Sequence, residues 1–305
     1  MVRSIRLAAL TCIIVSSLLR HAAAQQPVPL EDLLLWQDAM VLSRYQSTYL
    51  CDTRYDGALR RISQRLNPHL AEVFQSAQPV QYYVFIGQMG FNAQTWHHLI
   101  IFDALLLDTL RKLADGVAVY GTTECDYVRR LAVYVAQVDQ AKKTGRLTLR
   151  VTGADNPYRL PTLWGMTPAQ RDRADVLFDE MLASWMAHEG SHAFLHHSRE
   201  RAEAQQLLQM YSQQTDFTSD SMQRYISTYL GTNTSRQKER DADEHGVRLI
   251  VKSGYSIEGL LRSLEFAQMI EVLTGEAQVV NRTHPTPAER ISLARQIAED
   301  ESTAR

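Results

Sequence analysis

The chain has 305 residues, and 32 Lys and Arg against 34 Asp and Glu give a net charge of −2. This balance lacks the basic field that draws proteins to nucleic acid, so we expect no nucleic-acid partner. The length and the apolar fraction of 45% fit one large globular domain, or a core with an added lobe.

The first 24 residues have the three regions of a secretory signal peptide. Arg3 and Arg6 are basic, residues 7–19 form an apolar run, and residues 22–24 are alanines. The apolar run is shorter than the roughly 20 residues that cross a bilayer. We therefore predict cleavage after Ala24 and export to the periplasm or the cell exterior.

The remainder, residues 25–305, shows no internal repeat and no low-complexity linker, which favours one domain without a transmembrane segment. It retains two of the three cysteines, Cys51 and Cys125. An even pair in an exported protein favours a disulfide, and two unpaired buried thiols are the alternative.

Residues 30–74 have a helical pattern with breaks near residues 51 and 67. Residues 80–86 and 95–102 are extended runs rich in β-branched and aromatic residues, and we predict that they form a β-hairpin. A buried helix follows at residues 104–113, and the Gly116 region is expected to end it.

Helical patterns occupy most of the rest, at residues 126–143, from 168 to about 229, and at 236–252, 257–273 and 287–297. Thr167 and Thr286 are typical N-cap residues, since each precedes a proline at the first helical position. The sequence predicts an α+β, mainly α-helical fold with a small sheet.

A metal-binding motif lies within the long helix that starts at Pro168. His188 and His192 are separated by four residues, so both imidazoles lie on one helix face and can reach one metal ion. Glu189 stands beside them as a candidate general base. The alternative is that both histidines are satisfied by backbone or carboxylate partners.

A catalytic zinc site needs a third protein ligand, and the helix at 236–252 offers two acids. Glu239 and Asp243 share one face with the small residues Ala242 and Gly246, which permit a close helix–helix approach. One carboxylate can bind metal while the other orients a ligand histidine. A solvated, charged helix is the alternative.

Together these motifs resemble the M48 family of zinc metallopeptidases, which includes HtpX-like and BepA-like enzymes. The family pairs H-E-x-x-H with a later E-x-x-A-D, as in His188–His192 and Glu239–Asp243. Four further features are similar to the family: Asn92-Ala93 before an extended segment, Gly246-Val247, Gly254-Tyr255, and His284-Pro285 followed by Arg290.

The resemblance implies a zincin-type metallopeptidase domain with a β-hairpin or small sheet beside the cleft. It implies one Zn²⁺ per chain, held by His188, His192 and Glu239, with Glu189 as the base acting on a metal-activated water. An atypical insertion at about residues 116–175 separates the two matching regions.

The resemblance also gives roles to residues outside the ligand set. Asp243 would orient a ligand histidine. His284 would approach the developing oxyanion, and Arg290 would support it electrostatically. Among the other histidines, His196 and His197 are expected at the surface or behind the ligands.

The function implied is that of an exported metalloendopeptidase acting on peptides or proteins, misfolded envelope proteins among them. Substrate would bind as an added strand near residues 92–101, where one of His97 and His98 would face the cleft. The alternative is a non-catalytic zinc-binding protein of chaperone-like or peptide-binding type. Glu189 and the lack of a visible fourth Cys or His ligand favour catalysis. A zymogen gated by the insertion or the N-terminal helices is a third possibility, and it is compatible with the endopeptidase.

Overall fold

The structure is a computed structural model, and it describes residues 30–74, 80–86, 91–143, 163, 165–197, 233–274 and 285–303. The predicted signal peptide, residues 275–284 with His284, and the whole of residues 198–232 lie outside these residues. The described fold is mainly helical with a small four-stranded mixed sheet, which confirms the predicted α+β class.

The helices are α1 (Leu30–Thr48), α2 (Asp56–Phe74), α3 (Ala104–Tyr120), α4 (Asp126–Lys143), α5 (Pro168–Phe194), α6 (Asn233–Lys252), α7 (Glu258–Thr274) and α8 (Pro287–Thr303). The strands are β1 (Leu50–Cys51), β2 (Gln81–Ile86), β3 (Ala93–Thr95) and β4 (Leu99–Asp103), in the sheet order β1-β2-β4-β3. Within the described residues, no helix has the length and apolar character needed to cross a bilayer.

The predicted hairpin between residues 80–86 and 95–102 is wrong in its pairing. β2 and β4 are parallel neighbours, whereas the antiparallel partner of β4 is the short strand β3. A turn at residues 96–98 splits the predicted second run, because Asp38 of α1 accepts hydrogen bonds from the backbone N–H groups of His97 and His98. β4 is buried along its whole length, as expected of an inner strand.

The predicted end of α3 at Gly116 is also wrong. The helix continues to Tyr120 and ends at Gly121, whose φ of 76° is the left-handed conformation of a typical helix terminus. Gly116 serves packing, because a Cβ atom there would lie 2.6 Å from the ring of Tyr127 on α4. The described first part of the predicted insertion therefore belongs to the main core, where Val128 and its neighbours on α4 are buried.

Helix α5 lies at the centre of the domain and packs against α2, α3, α6, α7 and β3. Its start confirms the predicted cap, since Thr167 and Gln170 form a reciprocal capping box. This helix ends at Phe194, and residues 198–232, which hold the rest of the long helical pattern, lie outside the described residues. Most of its length is buried, which fixes the direction in which the metal-binding motif points.

The described cysteines are not joined. Cys51 lies exposed on β1, Cys125 is partly buried just before α4, and no disulfide bond joins them. The predicted disulfide is therefore absent. Cys125 instead packs against the hydrophobic core.

Candidate metal centre

Two helices in close contact carry the candidate ligands. On α6, Gly246 lies directly against α5, and a Cβ atom there would stand 3.3 Å from the backbone nitrogen of His188 and 3.4 Å from its Cα. Ala242, one turn earlier on the same face, is fully buried. These two small residues let α6 approach closely enough for Glu239, near the start of that face, to reach the histidines.

The candidate donor atoms of the three residues lie close together. Nε2 of His188 lies 3.2 Å from Nε2 of His192. Each nitrogen lies near a different oxygen of the Glu239 carboxylate, with Oε2 at 3.4 Å from the first nitrogen and Oε1 at 3.5 Å from the second. Ligand atoms bound about 2.0–2.1 Å from a tetrahedral ion stand about 3.3 Å apart. The donor set and its spacing therefore fit a zinc ion, and these residues can hold a metal.

The second nitrogen of His188 lies against an acid. Its Nδ1 is 3.0 Å from Oδ1 of Asp243, and Asp243 also receives two hydrogen bonds from Arg290, at 2.8 and 2.6 Å. Burial opposes the charge on Asp243, but Arg290 and His188 hold its pKa below the usual value. This chain of contacts directs Nε2 of His188 towards the other ligands.

Acidic partners also change the proton affinity of His188. Burial alone would lower its pKa, but the hydrogen bonds that the imidazole donates to the carboxylates of Asp243 and Glu239 outweigh burial and raise the pKa to about 10. Without a metal ion, the imidazole of His188 is therefore protonated on both nitrogens and positively charged at neutral pH.

The second nitrogen of His192 has a different partner. Its Nδ1 lies 2.8 Å from Nδ1 of His197, and burial together with nearby His192 lowers the pKa of His197 to about 4. Neutral His197 can accept the Nδ1 hydrogen of His192, which leaves the Nε2 lone pair of His192 for a metal. Of the two histidines expected at the surface or behind the ligands, His196 is exposed and His197 supports a ligand.

Glu189 is buried beside the ligands, with 8% of its surface exposed. The hydroxyl of Thr95, on strand β3, makes a hydrogen bond with Oε2 of Glu189 and lies 3.3 Å from its backbone oxygen. Sequence reasoning missed Thr95. The available signal was its position two residues after Ala93, which places both side chains on the same face of an extended strand.

A cleft of about 790 Å³ opens over these residues. Asn92, Ala93 and Thr95 of the β3 segment border it, and the metal-site residues line its floor. Other lining side chains come from α1 and α7, namely Leu34, Gln37, Leu260 and Leu264. The first of the described helices, α1, is thus part of the cleft wall.

The structure brings together six of the seven predicted site residues, namely His188, Glu189, His192, Glu239, Asp243 and Arg290. Arg290 directs its hydrogen bonds at the Asp243 carboxylate. The seventh, His284, lies outside the described residues. Of the two adjacent histidines His97 and His98, it is His97 that lines the cleft, and it does so from the turn between β3 and β4 rather than from a strand.

Comparison with known proteins gives one match. Residues 175–298 match the model of Peptidase family M48. No curated protein and no solved structure matches the chain. The matched segment covers less than half of the sequence but contains the whole described site apart from Thr95. The α+β fold, the geometry of the candidate metal centre and the family match together support a metallopeptidase. The match at residues 175–298 supports a relationship to the M48 family.

Proposed function

We propose that this chain is an exported, zinc-dependent endopeptidase related to the HtpX-like and BepA-like enzymes. The observation that carries the proposal is the cluster of donor atoms from His188, His192 and Glu239. The two imidazole nitrogens and the carboxylate oxygen nearest to each lie 3.2–3.5 Å apart, a spacing compatible with tetrahedral zinc coordination, and the carboxylate of Glu189 lies beside the cluster. Three protein ligands leave a fourth position for chemistry.

Zinc bound there would act as a Lewis acid and would lower the pKa of a coordinated water. Glu189 is the residue that moves protons. It accepts the proton of the attacking water and returns it to the leaving amine. Its burial at the floor of the cleft places it out of bulk solvent, where it competes with fewer water molecules for that proton.

The surrounding residues hold this arrangement. Asp243 fixes the imidazole of His188, and His197 fixes the imidazole of His192. Each contacts Nδ1, the ring nitrogen that does not face the proposed zinc position. Arg290 neutralises Asp243 and adds positive charge to the cleft. In the proposed reaction His284 donates to the developing oxyanion, and Arg290 supports that charge at longer range.

Strand β3 supports binding of an extended peptide. Among the described strands it stands at the edge of the sheet, and the hydrogen bonds of the Asn92 and Trp96 backbones with β4 direct those backbone groups inward. Because hydrogen-bonding direction alternates along a strand, Ala93 and Thr95 direct theirs towards the open edge. A substrate strand can pair there with modest sequence preference, which suits unfolded segments such as those of misfolded envelope proteins.

The test combines metal analysis with hydrolysis of casein by the mature protein. We expect one zinc per chain and zinc-dependent cleavage for the wild type. Glu239→Gln should lose zinc, whereas Glu189→Gln should keep zinc and lose turnover. Asp241→Asn is the matched control, because Asp241 lies on the same helix but bonds Gln237.

Two results would contradict the proposal. Unchanged zinc affinity in Glu239→Gln would remove the third ligand. A wild type that binds zinc but cleaves no peptide would favour the non-catalytic, peptide-binding alternative.

A further inference from the structure

We propose that Thr95 is a positioning residue that holds the carboxylate of Glu189 through its hydroxyl group. Strand β3, which borders the cleft, would then also fix the position of the catalytic base, Glu189. This inference rests on the proposed function and adds to it a residue that lies outside the segment matching the family model.

The contact has a defined direction. An ionised carboxylate only accepts hydrogen bonds, so the Thr95 hydroxyl must be the donor. Its single hydrogen goes to Oε2 of Glu189, the nearer of its two acceptors, because the backbone oxygen is at 3.3 Å. A hydrogen bond to a charged acceptor is stronger than one between neutral groups. With Oε2 engaged, Oε1 is the oxygen left to receive the proton of the attacking water.

Thr95 is well supported as a source of this hydrogen bond. It pairs with Ile100 across the β3–β4 hairpin, and the next residue, Trp96, donates to the backbone oxygen of Leu99 at 2.8 Å. From the other side, Asp38 of α1 accepts from the two N–H groups of the following turn at 3.1 and 2.7 Å. The hydroxyl is therefore mounted on paired backbone rather than on a free loop.

This placement gives one residue two contacts in the reaction. The backbone of Thr95 is directed at the edge where a substrate strand pairs, and its side chain holds the base. A peptide paired with β3 would therefore be aligned with the carboxylate of Glu189, the base that acts in its hydrolysis. We expect loss of the hydroxyl to affect turnover more than substrate binding, because the backbone groups remain.

The first experiment tests the contact without zinc or activity. Unfolding of the metal-free chain by urea is compared for wild type, Thr95→Val, Glu189→Met and the double variant. Valine keeps the volume of threonine, and methionine keeps the length of glutamate without its carboxylate. Residues in contact should be non-additive, with a coupling factor of at least about 3 in the unfolding equilibrium constant. A factor near 1 overturns the proposal.

The second experiment measures kinetics of the zinc-loaded variants on a quenched fluorescent peptide. Thr95→Val should lower kcat by about 10- to 100-fold, the equivalent of one hydrogen bond to a charged group, with KM changed by less than about threefold. Thr95→Ser restores the hydroxyl and should restore kcat. Thr109→Val is the matched control, because Thr109 is a fully buried threonine on α3.

The outcomes separate this inference from the proposed function. If the wild type is active and Thr95→Val keeps full kcat, Thr95 is a packing residue and only the inference is overturned. If Thr95→Ser is as slow as Thr95→Val, the hydroxyl is not the cause and the inference is again overturned. If the zinc-loaded wild type is inactive, the proposed function is overturned together with the positioning role.

Discussion

The two ligand imidazoles differ in what holds their second nitrogen. His188 lies against a carboxylate that is itself neutralised by Arg290, whereas His192 lies against the neutral imidazole of His197. An acidic partner makes a histidine more basic, and a second histidine does not. The two ligands should therefore behave differently when metal competes with protons.

Zinc binding should release a proton from His188. Its pKa is raised to about 10 in the metal-free chain, so the proton is present at every pH below that value and must leave before Nε2 can bind a metal. Zinc affinity should thus rise about tenfold per pH unit between pH 7 and 9. Calorimetric titration in buffers of different ionisation enthalpy measures the number of protons released. A value of zero at pH 7.5 would contradict the assignment.

Asp243 and Arg290 should be distinguishable by mutation. Asp243→Asn should weaken zinc binding or activity about 10- to 100-fold, as expected for the partner of a ligand histidine. Arg290→Met leaves the carboxylate of Asp243 buried without its cation and should cost about 3 kcal/mol of stability. Zinc titration and denaturant unfolding of both variants give the two quantities. Wild-type zinc affinity and activity of Asp243→Asn would contradict the role of Asp243 in orienting His188.

The local spacing of residues was sufficient to nominate candidate ligands but not all of their partners. The pairs His188 with His192 and Glu239 with Asp243 follow from four-residue periodicity within helices, which is a short-range property, and the resemblance to the M48 family selected Glu239 as the third ligand. His197 could not be placed in this way, because α5 ends just before it and His196 adopts a positive φ of 55°. That reversal brings His197 back towards the ligand face.

At the scale of elements, the crossing of α5 and α6 controls the distance between the ligands. Gly246→Val would push its side chain into the backbone of His188, a neighbour that cannot rotate away. We expect a stability loss of about 1–3 kcal/mol and weaker zinc binding, because α6 also carries Glu239. Gly57→Val is the control, since a Cβ there meets nothing within 4 Å. Equal effects in the two variants, measured by unfolding and zinc titration, would contradict this account.

The sheet shows where prediction from local pattern ends. The runs of β-branched and aromatic residues located the strands, and the capping residues Thr167 and Thr286 located helix starts, because both signals are local. Strand order depends on partners distant in the sequence. The turn at His97 and His98 is fixed by Asp38, more than 50 residues earlier, and no pattern near the turn contains that information.

At the scale of the molecule, the hydrophobic core does not depend on the metal. It includes buried residues of α2, α3, α4 and α5, and most of them lie away from the cleft. The metal-free chain should therefore stay folded, in contrast to small zinc-dependent domains. The small cluster of Val247, Ala294 and Ile297 separately joins α8 to α6.

Removal of zinc should lower the melting temperature while preserving the helical circular dichroism spectrum. A ligand present at about 100 times its dissociation constant contributes about 2.7 kcal/mol, or about 5–10 °C for a domain of this size. The comparison is between chelator-treated and zinc-loaded protein, with Glu239→Gln as the control that should show no such shift. Loss of the helical signal in chelator would show that the metal is needed for folding.

The position of Arg290 in the chain affects the timing of assembly. During synthesis, the ribosome delivers all three ligands before it delivers Arg290, which reaches Asp243 only when α8 docks on α6. Until then Asp243 faces the histidine without its cation, and the carboxylate is less able to stay ionised and orient the ring. The site should therefore become fully active only after α8 has been made and has docked on α6.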